Sequence, residues 1–160
     1  MTDYRAYAGI GSRQTPPDIC ALMTGLARRL AAAGYVLRSG GARGADQAFE
    51  AGAGTAKEIY LPHHATDAAL ALAARFHPVW DRCGPTARQL HARNGMIILG
   101  ADLASPVALV LCWTSDGRAS GGTGQGLRIA ADHGVPVYNL FRPEHRAAAE
   151  AMTRALHTAR

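Results

Sequence analysis

The 160-residue sequence has little lysine, little cysteine and no long hydrophobic run. No apolar segment reaches the roughly 18 residues that a membrane-spanning helix requires, so we expect no membrane partner. Lys57 is the only lysine, and arginine therefore carries the basic side of a net charge of +5. Arginine binds phosphate well, but a GC-rich genome also encodes much arginine and alanine. The charge alone is a weak indication of nucleic-acid binding.

The three cysteines, Cys20, Cys83 and Cys112, lack metal-ligand spacing and cannot all pair with one another. We expect them to be buried thiols of a cytoplasmic protein. Residues 1–5 show no signal-peptide pattern, which agrees with that expectation. No arrangement typical of a catalytic triad, a Cys-His pair or a metal centre stands out, and the sequence predicts neither a metal site nor a cofactor.

With 48% hydrophobic and 18% charged residues, the composition is that of a compact globular protein. The length predicts a single domain over residues 1–160, and the sequence contains no linkers or internal repeats. Apolar periodicity predicts strands over 4–8, 35–39, 57–61, 107–113 and 135–140. It predicts one helix that follows Thr15 as N-cap and ends at Gly34, and a second helix that begins at Ala45. Four further helices are predicted over 66–76, 86–99, 124–133 and 143–157.

Strands and helices alternate throughout, which predicts an α/β fold with a Rossmann-like, doubly wound parallel sheet and helices on both faces. In the strand order 3-2-1-4-5, strands two, one and four are neighbours. These strands precede three Gly-rich loops, at 9–13, 38–46 and 121–125. Ligands bind beside the switch point of such a sheet, so we expect the loops to converge on one crevice. The segment 77–86 is irregular and is predicted to form a lid.

The loops predict a pocket for a nucleotide or another phosphorylated small molecule. Glycine permits close backbone approach, and the first N–H groups of a helix attract anions. The candidate ligand-binding residues in the loops are Gly11, Ser12, Arg13, Ser39, Gly40, Gly41, Arg43, Gly44, Asp46, Gly121, Gly122, Thr123 and Gly124. We favour ligand contact for the glycines over a role as ordinary turn residues, whereas Arg13 is as well explained by a solvated loop arginine as by a phosphate contact. Asp46 either stabilises the start of a helix or contacts the ligand.

Several motifs resemble the signatures of the SLOG superfamily, a Rossmann-like group that joins DprA/Smf proteins with LOG phosphoribohydrolases. They are Gly11-Ser12-Arg13, Ser39 to Asp46, Arg93-Asn94-Gly95-Met96-Ile97-Ile98, Gly121 to Gly124 and Val135-Pro136-Val137-Tyr138. The resemblance covers about residues 4–140 and is closest to a short, stand-alone DprA/Smf-like domain. It implies a nucleotide-binding fold that is often homo-oligomeric, and it adds Arg93 and Asn94 to the candidate ligand-binding residues.

LOG enzymes carry the motif Pro-Gly-Gly-x-Gly-Thr-x-x-Glu, whose glutamate helps to cleave the N-glycosidic bond of a nucleotide. In this sequence Arg128 stands at the glutamate position, and an arginine cannot stabilise an oxocarbenium-like centre as a carboxylate does. Asp46 and Asp116 are the candidate catalytic carboxylates that remain. The preferred hypothesis is nucleotide binding without turnover. The alternatives are a nucleotide N-glycosidase and a DprA-like protein that binds single-stranded DNA.

Overall fold

The computed structural model describes residues 4–158, the last two by their backbone alone. The predictions of one domain over 1–160 and of no signal peptide at residues 1–5 therefore also concern residues outside this range. The described strands are Arg5–Gly9 (β1), Tyr35–Ser39 (β2), Lys57–Ile59 (β3), Val110–Cys112 (β4) and Val137–Asn139 (β5). The described helices are Pro17–Ala32 (α1), Ala45–Ala53 (α2), Asp67–Phe76 (α3), Pro85–Leu99 (α4), Thr123–Asp132 (α5) and Pro143–Thr158 (α6).

The five strands form one parallel sheet in the order β3-β2-β1-β4-β5. The predicted fold class and strand order are therefore confirmed. Within the described range, no helix combines the length and the apolarity needed to cross a membrane.

Helices cover both faces of the sheet because strand residues alternate between two apolar clusters. Tyr7 and Leu37 face the cluster formed with α1, α2 and α6. Ala8 and Val110 face the opposite cluster, formed with α4 and α5. A smaller cluster joins α3 to α4 on this second side. The two layers fix the carboxyl ends of β1, β2 and β4 at one edge of the sheet.

Several local predictions differ from the structure. The predicted strands over 57–61 and 135–140 are shorter, since they form β3 and β5, and two further differences have a visible cause. Thr15 is not the N-cap of α1, because its hydroxyl donates a hydrogen bond to the carbonyl oxygen of Ser12 at 2.7 Å and Pro16 occupies the cap position. The predicted strand over 107–113 is shorter, since β4 covers Val110–Cys112. The N–H of Val107 donates to the carbonyl oxygen of Ile98 near the end of α4, so the first residues of this apolar run join the helix to the sheet.

A glycine in α2 permits the close approach of α1 and α2. A Cβ atom at Gly52 would lie 2.1 Å from the carbonyl oxygen of Thr24, which is a backbone atom that cannot move freely. A Cβ atom at Gly25, in the middle of α1, would meet nothing within 4 Å. The two helical glycines therefore form a matched pair with opposite expected effects.

We predict that Gly52→Ala lowers the free energy of unfolding by about 1–3 kcal/mol, because the added methyl group forces the helices apart. We predict that Gly25→Ala raises it by up to about 1 kcal/mol, because alanine loses less backbone entropy in a helix. Urea denaturation of both variants measures the difference. Equal effects of the two substitutions would show that α1 and α2 do not pack as described.

Candidate functional site

A crevice of about 600 Å³ lies at the carboxyl ends of β1, β2 and β4. Its walls are the β1–α1, β2–α2 and β4–α5 loops and one side of α4. The structure therefore brings together the three Gly-rich loops as predicted. The candidate residues that line the crevice are Gly11, Ser12, Arg13, Asp46, Arg93, Asn94, Asp116, Gly121, Gly122 and Thr123.

The backbone of Ser12 joins the three loops. Its N–H donates to the carbonyl oxygen of Trp113 at 3.1 Å, and its own carbonyl oxygen accepts from the N–H of Ala45 at 3.4 Å. Gly44 packs against the same segment with a φ of +78°, and a Cβ atom there would lie 2.7 Å from the carbonyl oxygen of Ser12. Only glycine combines this conformation with this approach. Gly44 therefore shapes the crevice from behind and does not line it.

Other predicted ligand residues also lie behind the crevice surface. Ser39 is fully buried, and its hydroxyl donates to the carbonyl oxygen of Gly9 at 2.6 Å. The N–H of Gly124 donates within its own loop, to Ser120 and Gly121. The residues from the prediction that do not line the crevice are Ser39, Gly40, Gly41, Arg43, Gly44 and Gly124. Arg43 is exposed outside the crevice, whereas the other five residues lie in or behind the loops that form its walls.

Arg93 is the central cation of the crevice. It is only 8% exposed, and its Nη1 donates to the carbonyl oxygens of Gly40 at 2.7 Å and Tyr60 at 3.0 Å. Its Nε donates to Oδ1 of Asn94 at 2.9 Å. Nη2 donates no hydrogen bond to any residue in the described range. The guanidinium is thus held in one orientation and keeps one nitrogen available to a ligand.

Gly40 makes room for this guanidinium. A Cβ atom at Gly40 would lie 2.5 Å from Nη1 of Arg93 and 2.9 Å from Oδ2 of Asp46. Burial lowers the pKa of Arg93, and the neighbouring carboxylate of Asp46 raises it. Arginine nevertheless stays protonated in proteins, so the crevice keeps a fixed positive charge.

Asp46 both closes a loop and lines the crevice. Its Oδ2 accepts hydrogen bonds from the N–H groups of Gly40 at 3.2 Å and Ala42 at 3.3 Å, and Oδ1 accepts none from the described residues. Burial raises the pKa of Asp46 to about 6, although these N–H groups and Arg93 act in the opposite direction. The carboxyl group therefore titrates closer to neutrality than an ordinary aspartate.

Asp116, the second candidate catalytic carboxylate, is exposed and lies in the β4–α5 loop. Its Oδ1 accepts hydrogen bonds from the hydroxyl of Ser120 at 2.7 Å and the N–H of Arg118 at 2.9 Å. Both hydrogen bonds lower the pKa of Asp116, and the bond from Ser120 has the larger effect. This carboxylate stabilises the turn of its own loop and remains ionised near neutral pH.

The β4–α5 loop supplies free backbone donors. The N–H groups of Gly121 and Gly122 donate to no residue within 4–158, and a Cβ atom at either position would meet nothing within 4 Å. Both precede Thr123, the first residue of α5, where the helix dipole favours an anion. Asn94 holds the loop in place, because its Nδ2 donates to the carbonyl oxygen of Gly122 at 3.1 Å.

The predicted lid does not cover the crevice. None of the residues in the segment 77–84, between α3 and α4, lines it. Arg88 on α4 holds the segment in another place, since its guanidinium donates to the carbonyl oxygen of Trp80 at 3.2 Å and lies over the ring of Trp80. The predicted irregular structure is present, with one short 3-10 turn at Trp80–Arg82.

The structure also assembles residues that the sequence did not single out. His91 and Thr114 line the crevice, and neither lies in a Gly-rich loop. His77, Cys83 and His91 lie together, although their separation in the sequence resembles no familiar metal motif. Arg128, at the position of the LOG glutamate, does not line the crevice; its Nη2 donates to Oε1 of Gln125.

No protein-family model matches the chain, and no curated protein matches it in sequence. The fold is similar to that of DNA processing protein A from Helicobacter pylori, whose structure was described for its unique mode of single-stranded DNA binding. The two share 20% sequence identity with a TM-score of 0.58. The match covers 85% of this chain and 64% of the other, so this chain spans less than two thirds of that protein. At this identity the likeness extends to the fold alone.

The raised pKa of Asp46 predicts a pH dependence of stability. At a pH between the pKa of an unfolded aspartate and about 6, the Asp46 carboxyl group has lost its proton in the unfolded chain but keeps it in the folded protein. The stabilisation associated with Asp46 is therefore complete at low pH and is lost as the pH rises through the folded-state pKa. The Asp46→Asn variant cannot titrate here, and the other carboxyl groups are common to both proteins.

We predict that the free energy of unfolding of the wild type, relative to Asp46→Asn, falls by about 2 kcal/mol between about pH 4 and pH 7. Urea denaturation of both proteins across this range provides the measurement. A relative stability that is constant, or that increases with pH, would contradict the raised pKa.

Proposed function

We propose that the crevice binds a nucleotide or nucleotide derivative through its phosphate, and that the chain is a binding module of the SLOG type. The observation that carries this proposal is the arrangement of Arg93. Two carbonyl oxygens hold its guanidinium while Nη2 remains available. A donor that is already ordered loses little entropy when it binds its ligand. Arginine also matches phosphate geometry better than lysine does.

The surroundings of Arg93 fit the remainder of a nucleotide. The volume of about 600 Å³ lies within the range of small-molecule sites. The free N–H groups of Gly121 and Gly122 supply a second anchor for phosphate oxygens. Apolar side chains of Ile10 and Leu90 line the crevice and suit the faces of a base. Thr123 offers a hydroxyl group for the sugar or the phosphate.

Single-stranded DNA binding is the second candidate. It is favoured by the fold shared with DNA processing protein A and by exposed arginines near the crevice. Arg13 and Arg43 form no ion pair with another described residue and are free to contact a phosphate backbone. Binding through several such contacts would weaken steeply with salt, whereas a mononucleotide held by one buried guanidinium would depend less on salt.

N-glycosidic hydrolysis is the third candidate and depends on Asp46. This carboxyl group lines the crevice next to Arg93 and has a raised pKa. Release of a free base that disappears in Asp46→Asn would favour an enzyme over a binding module. Asp116 is a weaker candidate, because its hydrogen bonds hold it in its loop.

The homo-oligomer implied by the SLOG resemblance and the cytoplasmic location inferred from the cysteines remain expectations. The helix α4 could pair subunits only through residues that the single chain leaves exposed. Residues Gly95 to Leu99 of this helix are, however, buried within the single chain. Any subunit contact through α4 would therefore use the first half of the helix.

We predict that at least one member of a panel of nucleoside monophosphates, nucleotide sugars and cyclic dinucleotides raises the melting temperature. A ligand at a hundred times its Kd adds about 2.7 kcal/mol to the stability of the native state. Arg93→Lys should weaken binding about tenfold or more, because one ammonium group cannot replace a fork that holds two carbonyls and the ligand. Arg28→Lys, on the exposed side of α1, is the matched control and should bind as the wild type does.

The melting temperature of each variant without ligand shows whether the fold is retained. Failure of the whole panel to stabilise the wild type would overturn the proposal. Equal affinity in Arg93→Lys and the wild type would place the ligand away from Arg93.

A further inference from the structure

A second group of side chains lies beside the crevice, between the segment 77–84 and α4. It consists of His77 at the end of α3, Cys83 just before α4, and His91 on α4. One ligand atom from each residue lies within 4.8 Å of the other two. The Sγ atom of Cys83 is 3.8 Å from Nδ1 and 3.9 Å from Nε2 of His77. The rings of His77 and His91 have centroids 4.2 Å apart.

The separation of Cys83 and His77 is close to that of two ligands around a tetrahedral zinc ion. Zn–S bonds of about 2.3 Å and Zn–N bonds of about 2.0–2.1 Å separate sulfur and nitrogen by about 3.5 Å. The observed distance of 3.8 Å from Cys83 to His77 requires a shift of only a few tenths of an ångström. Nδ1 of His77 accepts one hydrogen bond, from the exposed N–H of Val79 at 3.2 Å. Water can replace His77 as the acceptor for that N–H if the nitrogen binds a metal.

The donor set has the chemistry of a zinc site. One thiol and two imidazoles suit zinc, whereas magnesium and calcium require oxygen ligands. His91 contributes a buried Nδ1 that has no hydrogen-bond partner among the described residues. A buried nitrogen without a partner is unfavourable, and coordination would satisfy it. The thiolate of Cys83 would offset part of the charge of the ion next to Arg128 and Arg93, both of which act on His91.

We propose that His77, Cys83 and His91 bind a zinc ion that fixes the segment 77–84 to α4. Three protein ligands leave the fourth tetrahedral position to water. Because His91 also lines the crevice, the ion stabilises part of its outer wall. The site is independent of the phosphate anchor at Arg93, so either proposal can fail without the other.

The test uses the untagged 160-residue chain, which is stripped with a chelator and then titrated with Co²⁺ or Zn²⁺. The wild type should bind one equivalent of Co²⁺ with a thiolate-to-cobalt charge-transfer absorption, and Zn²⁺ should displace the cobalt. Cys83→Ser should lose this absorption and weaken Zn²⁺ binding by more than about a hundredfold, which exceeds the usual effect of removing a residue that only hydrogen-bonds to a metal ligand. His77→Ala should weaken it similarly.

Cys20→Ser is the matched control, since Cys20 is another partly buried cysteine but lies on α1. It should retain the absorption and the affinity of the wild type. Circular dichroism of each stripped variant shows whether it is folded. Absence of a cobalt–thiolate absorption in the wild type would overturn the proposal, as would equal Zn²⁺ affinity in the wild type, Cys83→Ser and His77→Ala.

Discussion

The guanidinium of Arg93 connects the sheet to the helix that closes the crevice. Its Nη1 binds the carbonyl oxygens that follow β2 and β3, while its backbone belongs to α4. A buried cation is unfavourable unless its hydrogen bonds are satisfied and an opposite charge is near. The two carbonyls and the carboxylate of Asp46 meet this need within the protein. The nitrogen that remains free is the one that the proposed phosphate would use.

The same requirement explains the residues around Arg93. Gly40 has no side chain because a Cβ atom would collide with the guanidinium, and its N–H and carbonyl groups bind Asp46 and Arg93 respectively. Asn94 connects Arg93 to the β4–α5 loop, where the free N–H groups of Gly121 and Gly122 lie. The crevice is therefore one hydrogen-bonded unit, in which the cation and the backbone donors are fixed relative to one another before any ligand binds.

The fold was predictable from the sequence because apolar runs alternated with helical periodicity, and sequential parallel strands allow few topologies. The meeting of the loops followed from the strand order. The different roles of the glycines did not follow from the sequence, because Gly44 and Gly122 both look like ordinary loop glycines. In the structure Gly44 packs on Ser12, whereas Gly122 faces open space. Arg93 lies on a helix that is far from two of the loops in sequence, and only the family resemblance identified it as a candidate. The grouping of His77, Cys83 and His91 depends on how an irregular segment folds against α4, which periodicity does not reveal.

The proposed function places a phosphate group between Arg93 and the amino terminus of α5. A crystal structure of the protein with its best-bound nucleotide shows whether it binds there. We expect phosphate oxygens within hydrogen-bonding distance of Nη2 of Arg93 and of the N–H of Gly122, with the base toward Leu90. A nucleotide bound outside the crevice, or inside it with its phosphate away from both groups, would overturn the proposed function.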